Sequence, residues 1–153
     1  MPKISAGLLM FRRRDAPELF LVHPGGPFWA KKDRGAWSIP KGEVAEGEDL
    51  LAAARREFEE ETSFVPLGPF LPLPPVRQKA GKEVHAWAFE GDHDPARLVS
   101  NLSIIHWPPG SGKTMEIPEI DRGGYFSPQE AREKLNPAQA EWVDALIDVL
   151  GAC

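Results

Sequence analysis

The chain opens on two apolar runs, Ile4-Ser5-Ala6-Gly7-Leu8-Leu9-Met10-Phe11 and Leu19-Phe20-Leu21-Val22-His23, separated by the charged stretch Arg12 to Glu18 with Pro17 inside it. Short apolar runs flanking a polar, proline-bearing segment predict two strands joined by a turn. Residues 24–36 then interrupt the pattern with Pro24, Gly25, Gly26, Pro27 and Gly35, and carry Phe28, Trp29, Lys31, Lys32 and Arg34. This is an irregular loop able to cover a ligand. Trp37 to Glu43 reads as a short extended piece ending in a turn, and Glu46-Gly47-Glu48-Asp49 opens a helix running to about Thr62, its acidic start suited to the positive end of the helix dipole. Val65 to Pro75 is proline-rich and irregular or edge strand, Val76 to Lys79 and Val84 to Phe89 form a hairpin around Ala80-Gly81-Lys82, and a further strand lies near Leu102 to Trp107. Ser127-Pro128-Gln129-Glu130 has the form of a capping box and predicts a helix to about Leu135, broken by Asn136-Pro137. From Ala138 the positions Ala140, Val143, Leu146, Ile147 and Leu150 predict an amphipathic C-terminal helix ending at Gly151.

Composition narrows what such an arrangement is for. With 153 residues, 42% of them hydrophobic and 27% charged, the chain is long enough to stabilise one core without disulfides or structural metal, and a single domain over residues 1–153 is expected. Cys153 is the only cysteine, which excludes an intramolecular disulfide and predicts an exposed bystander thiol in a reducing, cytoplasmic setting. The opening Met1-Pro2-Lys3-Ile4-Ser5-Ala6-Gly7 lacks the basic-then-apolar order of a signal peptide, and no apolar run approaches the roughly 20 residues that span a bilayer. A soluble protein without a membrane partner is therefore expected. A net charge of -5 argues against a long nucleic acid as ligand and leaves a small anion, held through a metal or a local basic patch.

The predicted helix from Glu48 to Glu61 places Leu51, Ala54 and Phe58 on one stripe, with Arg55 and Glu59 on the wetted side beside it. Glu57, Glu60 and Glu61 fall within an arc of about 100° at its C-terminal end. That end carries partial negative charge, and like charges at i,i+4 repel by about 0.2–0.5 kcal/mol, so the placement opposes the helix twice. Arg56 can pair with Glu60, whereas Glu57 and Glu61 are expected to find no cation on the helix itself. A hard divalent cation taking oxygen ligands is the natural counter-charge, and Mg2+ would keep waters and bridge to phosphate. A bare Glu-x-x-Glu-Glu is also compatible with a solvated acidic helix end.

The context of these carboxylates decides between the two. Gly42 is followed by five residues, Glu48, seven residues, and then Arg56-Glu57-Phe58-Glu59-Glu60-Glu61-Thr62-Ser63-Phe64. This resembles the Nudix box: glycine, five residues, glutamate, seven residues, Arg-Glu, an aliphatic or aromatic residue, any residue, Glu-Glu, any residue, glycine and an aliphatic residue. Residues 42–64 agree at every constrained position but one, where Ser63 stands in place of the glycine. The lead-in Trp37-Ser38-Ile39-Pro40-Lys41-Gly42-Glu43 is similar to that of mutator-type and dinucleoside-polyphosphate-hydrolysing members. A glycine after a helix usually supplies a left-handed cap, which costs another residue about 1 kcal/mol. Ser63 is therefore expected to be tolerated, with some effect on the aim of Glu60 and Glu61.

The resemblance implies an α/β fold, a Nudix-type α/β/α sandwich with a mixed β-sheet, and a box that forms a loop and helix beside a cleft. It implies that Glu57, Glu60 and Glu61 hold Mg2+ or Mn2+, with the Gly42 carbonyl as a further metal ligand. It implies too that Arg56 orients the carboxylates, pairing with Glu60 or, across two turns, with Glu48. Catalytic roles are accordingly expected for Arg56, Glu57, Glu60 and Glu61. The general base stays open between Glu57, Glu116 and Glu119, the last two being equally compatible with plain exposed loop acids. Lys41, Trp37 and Trp29 are the candidate substrate-binding residues, Phe28 a further stacking candidate, and Lys31, Lys32 and Lys113 further phosphate contacts, although aromatics beside a cleft more often pack.

Two other motifs are set aside. Pro109-Gly110-Ser111-Gly112-Lys113-Thr114 is not a P-loop, since the first glycine would fall at Trp107, and His23, His85, His93 and His106 lack metal-ligand spacing. The expected activity is metal-dependent cleavage of a phosphoanhydride bond in a nucleoside diphosphate linked to another group, such as a dinucleoside polyphosphate or a nucleoside triphosphate. The alternative is a catalytically silent, nucleotide-binding regulatory module, which the complete set of box carboxylates argues against. The acidic balance argues likewise against an RNA 5′-end processing enzyme.

Overall fold

The first strand, β1 (Ile4–Arg13), is buried almost throughout, and its alternation divides the core in two. Ala6, Leu8 and Met10 pack with Phe20, Val22, Ala53, Ala54, Phe58 and Phe89. Leu9 and Phe11 pack instead with Leu19, Leu21, Val84, Ala86, Trp142, Val143 and Leu146. A strand apolar on both faces has to lie inside a sheet covered on both sides. The computed structural model, which describes residues 3–151, has that architecture. Cys153, expected to be exposed, lies outside the described residues.

Along the chain β1 is followed by β2 (Pro17–Pro24), β3 (Lys41–Glu43), α1 (Leu50–Thr62), β4 (Leu71–Arg77), β5 (Glu83–Glu90), β6 (Leu102–His106), β7 (Thr114–Pro118), β8 (Ile120–Phe126), α2 (Pro128–Lys134) and α3 (Glu141–Gly151). The main sheet has the order β4-β5-β1-β2-β8, with β3 also paired to β1. It is mixed, since β1 and β5 run parallel and the other pairs antiparallel. The helix α1 covers one face, α2 and α3 the other, giving the expected α/β/α sandwich. Among the described residues no helix is long and apolar enough to cross a membrane.

One irregularity of the sheet positions the site. Ser5 to Gly7 of β1 pair with β3, while Phe11 to Arg13 pair with β2. Because β5 occupies the other edge of β1 along its length, residues 37–43 wedge between β1 and β2. The Leu8 N–H donates to the Pro40 carbonyl at 3.2 Å, and Val22 and Ser38 exchange main-chain bonds of 2.9 and 3.0 Å. Fully buried Gln139 locks the wedge from the other face, accepting from Ile39 N–H at 3.1 Å and donating to Ser38 Oγ at 3.0 Å. Lys41 and Gly42 are thus delivered by framework rather than by a free loop.

Several element ends differ from the sequence pattern for local reasons. Asp49 caps α1, accepting from the Ala52 N–H at 3.0 Å, so Glu46 and Glu48 precede the helix instead of lining its first turn. Pro137–Gln139 makes a 3-10 turn first, so α3 starts at Glu141 and not at Ala138. The strand expected near Leu102 exists as β6, but it pairs with β7 in a hairpin apart from the main sheet. The capping box at Ser127 and Glu130 is present as expected.

Candidate active site

Arg56 is the hub of the C-terminal half of α1. Its guanidinium grips Glu48 with a fork, Nε to Oε2 at 2.8 Å and Nη2 to Oε1 at 3.0 Å. Nη1 also donates to Glu57 at 2.9 Å and to Glu60 at 3.3 Å, and Nη2 to the Glu43 carbonyl at 3.2 Å. Both pairings expected of Arg56 are therefore made together. The expectation that Glu57 would find no cation on its own helix is corrected, because the long arginine side chain folds back across one residue to reach it. The Arg56 fork, helped by the Ala45 N–H, holds the Glu48 carboxyl down at about 2.

Gly42 faces this group. A Cβ placed there would lie 2.1 Å from the Glu57 carboxylate carbon, so the glycine leaves room for that carboxylate to rest against the β3 main chain. Burial raises the Glu57 carboxyl, with the charges of Glu60 and Glu119 adding to it and Arg56 opposing. Glu61 is buried and raised further, by desolvation first and then by Glu57. Lys41 opposes that shift, and is itself pulled down to about 8 by burial and by the charge of Lys82. Lys82, at the β4–β5 turn, was not singled out from sequence, since only the fold brings it beside Lys41.

These residues line one cleft of about 380 Å3 with Gly42, Glu43, Glu57, Glu60, Glu61, Lys82, Asn101 and Glu119 on its walls. Glu119 links β7 to β8 and also borders two neighbouring clefts, one with Val22, Ser38, Ile39, Lys41 and Glu61, the other with Phe28 and Trp29. Glu116, the other loop acid considered, sits exposed on β7 and is not among the lining residues. Among the described residues, no three carboxylate, histidine or cysteine side chains are gathered closely enough to hold a cation as they stand. The donor chemistry nevertheless suits a hard cation, with all-oxygen donors, mutual repulsion and the Glu61 charge disfavoured by burial.

The helix end itself is stitched to the segment before β6. Ser63 adopts the left-handed conformation, φ 67° and ψ 10°, that the missing glycine would have supplied, and its hydroxyl donates to the Val99 carbonyl at 2.6 Å. Val99 N–H donates to Thr62 O at 3.1 Å and Asn101 N–H to Glu60 O at 3.0 Å, so carbonyls at the end of α1 find main-chain partners.

The expected stacking role of Trp37 does not fit its position. Trp37 is 5% exposed, lies edge-on to His23 and Phe126, and donates its indole N–H to Asp33 at 2.7 Å. Trp29 is partly buried against the core and meets Phe28 edge-on at 5.0 Å, with the Lys32 ammonium 3.8 Å from the Phe28 ring centre. Lys113 lies at the far tip of the β6–β7 hairpin, away from the acidic cleft. His23 is a buried strut: Nδ1 lies 3.0 Å from Asp121 Oδ1, and Nε2 donates to the Lys32 carbonyl at 2.6 Å, holding the residue 24–36 loop to β8.

Comparison with known proteins agrees with this geometry. The family model described as NUDIX domain matches residues 1–146. An RNA pyrophosphohydrolase of Caulobacter vibrioides is 51% identical over 47 residues, 28% of this chain and 27% of that protein. Nudix hydrolase 7 of Arabidopsis thaliana is 34% identical over 62 residues, 40% of this chain and 21% of that protein. The chain thus spans about a quarter of the length of the curated relatives it matches. Among solved structures, a C. elegans Ap4A hydrolase binary complex superimposes with a TM-score of 0.68 at 18% identity, covering 97% of this chain and 99% of that one. The NUDIX domain of Shewanella oneidensis NrtR complexed with ADP ribose gives 0.66 at 15% identity, covering 98% and 89%.

Proposed function

We propose, from the premise that this chain belongs to the NUDIX domain family, that it is a metal-dependent pyrophosphohydrolase. Its substrate is a small nucleoside diphosphate linked to another group, such as a dinucleoside polyphosphate or a nucleoside triphosphate. The observation that carries the reading is the joining of Glu57, Glu60, Glu61 and Glu119 with Lys41 and Lys82 around one cleft. Carboxylates that repel one another fit a divalent cation, and ammonium groups on the same wall fit phosphate.

Glu57, Glu60 and Glu61, with the Gly42 carbonyl, would hold Mg2+ or Mn2+. When bound, such an ion neutralises the diphosphate and makes a bound water acidic enough to attack at neutral pH. Lys41 and Lys82 bind the phosphoryl oxygens and orient the anhydride. The water oxygen bonds to phosphorus, the bridging P–O bond breaks, and the water proton passes to a carboxylate oxygen. Glu119 fits that last role better than Glu116, since it lines the cleft, and Glu57 remains the other candidate. Arg56 acts as a positioning residue that keeps Glu57 and Glu60 aimed.

The test is product release with and without Mg2+ or Mn2+ across diadenosine polyphosphates, nucleoside triphosphates, ADP-ribose and nucleotide sugars, with Glu57→Gln as control. Metal-dependent release lost in the control supports the hydrolase. Nucleotide binding without turnover of any of these would favour a silent regulatory module instead.

A further inference from the structure

The β6–β7 hairpin pairs with no strand of the main sheet, which leaves it two outer edges of its own. Its ladder fixes which main-chain groups those edges present. Glu119 N–H donates to the Asn101 carbonyl at 2.9 Å and Trp107 N–H to the Lys113 carbonyl at 3.0 Å. Between them Ser103 stands opposite Ile117 and Ile105 opposite Met115. The odd-numbered positions of β6 therefore bond inward, and the N–H and C=O groups of Leu102, Ile104 and His106 point outward. Among the described residues none of these outward groups bonds to a segment outside the hairpin.

The two edges differ in protection. β7 carries exposed Glu116 at its middle and ends in Pro118, which has no N–H to offer. The loop after β2 also covers that end: Gly25 N–H donates to Glu119 O at 2.9 Å, and a Cβ on Gly25 would lie 2.1 Å from the Pro118 carbonyl oxygen. Charge, proline and cover are the devices that keep a sheet edge from pairing. The β6 sequence Leu-Ser-Ile-Ile-His has neither proline nor carboxylate. Its Leu102 and Ile104 side chains are instead 59% and 70% exposed.

We propose that β6 is a self-association surface, on which a second copy of this chain adds its own β6 antiparallel about a twofold axis at Ile104. The strand is complementary to itself in that register. Ile104 meets its own copy and Leu102 meets His106, so every outward N–H finds an outward C=O and no like charges stand opposite. An axis at Ser103 or Ile105 would align groups already bonded within the hairpin. One at Leu102 is blocked because Val99 and Asn101 are tied to Thr62 and Glu60 at the end of α1, and one at His106 needs an N–H from Pro108. The joined hairpins form one continuous sheet, with Leu102 and Ile104 packed across the axis. Strands of five residues make an interface below the roughly 1,200 Å2 of a stable complex, so the pair forms at high concentration and exchanges. Leu102, Ile104 and His106 do not line the acidic cleft, and the contact is independent of hydrolysis.

Sedimentation equilibrium of the full chain up to about 1 mM, where even a pair of millimolar affinity is populated, tests this alongside Ile104→Lys, Ile104→Glu and Met115→Lys. The unaltered protein is expected to dimerise. Each variant at position 104 is expected to lose about fivefold or more in association, since it sets like charges opposite each other across the axis. Met115 is 44% exposed and shares the face of Ile105, on the other side of the hairpin, so Met115→Lys is expected to keep the dimer. Ile104→Lys and Ile104→Glu mixed in equal amounts are expected to associate again as a heterodimer of opposite charge, which a misfolded hairpin could not do. A monomer at every concentration, an association unchanged by the position 104 variants or weakened as much by Met115→Lys, or a mixture no more associated than its components overturns the proposal.

Discussion

Gly42 and Glu57 leave no room for a side chain between them, since a Cβ on residue 42 would fall 2.1 Å from the Glu57 carboxylate. Arg56 bonds to the Glu57 carboxylate from the side. Gly42→Ala meets only the far end of the Glu57 side chain and should cost less than about 1.5 kcal/mol, while reducing metal-dependent turnover by about a hundredfold through displacement of the carboxylate. Urea unfolding and steady-state kinetics check both. Full turnover in the variant would remove Glu57 from the reacting centre.

Glu61 sets activity against stability. Burial and the Glu57 charge raise its folded-state pKa above the unfolded value of about 4.3. The stability tied to its proton is therefore complete below the unfolded value and is lost as pH rises through the folded one. Metal-free Glu61→Gln should melt higher than the unaltered protein at pH 8, with the gap narrowing toward pH 4, while turnover falls at least about a hundredfold. Calorimetric scans at the two pH values would contradict this if the variant melted lower at pH 8.

Glu48 behaves in the opposite sense. The Arg56 fork depresses its carboxyl to about 2, so its contribution is present above the unfolded value of about 4.3 and disappears as pH falls through about 2. Glu48→Gln should be less stable than the unaltered protein at neutral pH, and the difference should close between about pH 4.3 and 2. Denaturation series across that window measure it, and a difference independent of pH would place the loss elsewhere than in the ion pair.

Ser63 combines strain with a hydrogen bond. Its left-handed backbone costs about 1 kcal/mol relative to glycine, and its hydroxyl bond to Val99 O recovers about 0.5–1.5 kcal/mol. Ser63→Gly should therefore change stability by less than about 1 kcal/mol, whereas Ser63→Ala keeps the strain, loses the bond and should be about 1 kcal/mol less stable than the glycine variant. Equal unfolding free energies for the two variants would show that the backbone at 63 is unstrained.

Sequence pattern reached what local chemistry specifies. The apolar run of β1, the Ser127 cap, the carboxylates of α1 and the pairing of Arg56 with Glu60 follow from spacings of a few residues, and the pairing with Glu48 from the family resemblance. The strands β7 and β8 were not legible. Most of β7 is exposed and shows no apolar alternation, and β8 carries Gly123 where the Phe20 ring needs the space, a Cβ there falling 2.7 Å from it. Lys82 joins the site through strand order, which no short motif encodes, and strand order also decides between the two loop acids the sequence offered, bringing Glu119 and not Glu116 to the cleft. Trp37 misled because a wedge between β1 and β2 buries a residue that a free loop would have offered to a ligand.

The main-chain links from Glu60 through Asn101 and Glu119 to Gly25 tie the end of α1 to the loop after β2. Backbone bonds do not change rotamer as side chains do. For the proposed hydrolase, that loop is thereby joined to the carboxylate cleft by main chain rather than by side-chain contacts that one substitution could remove.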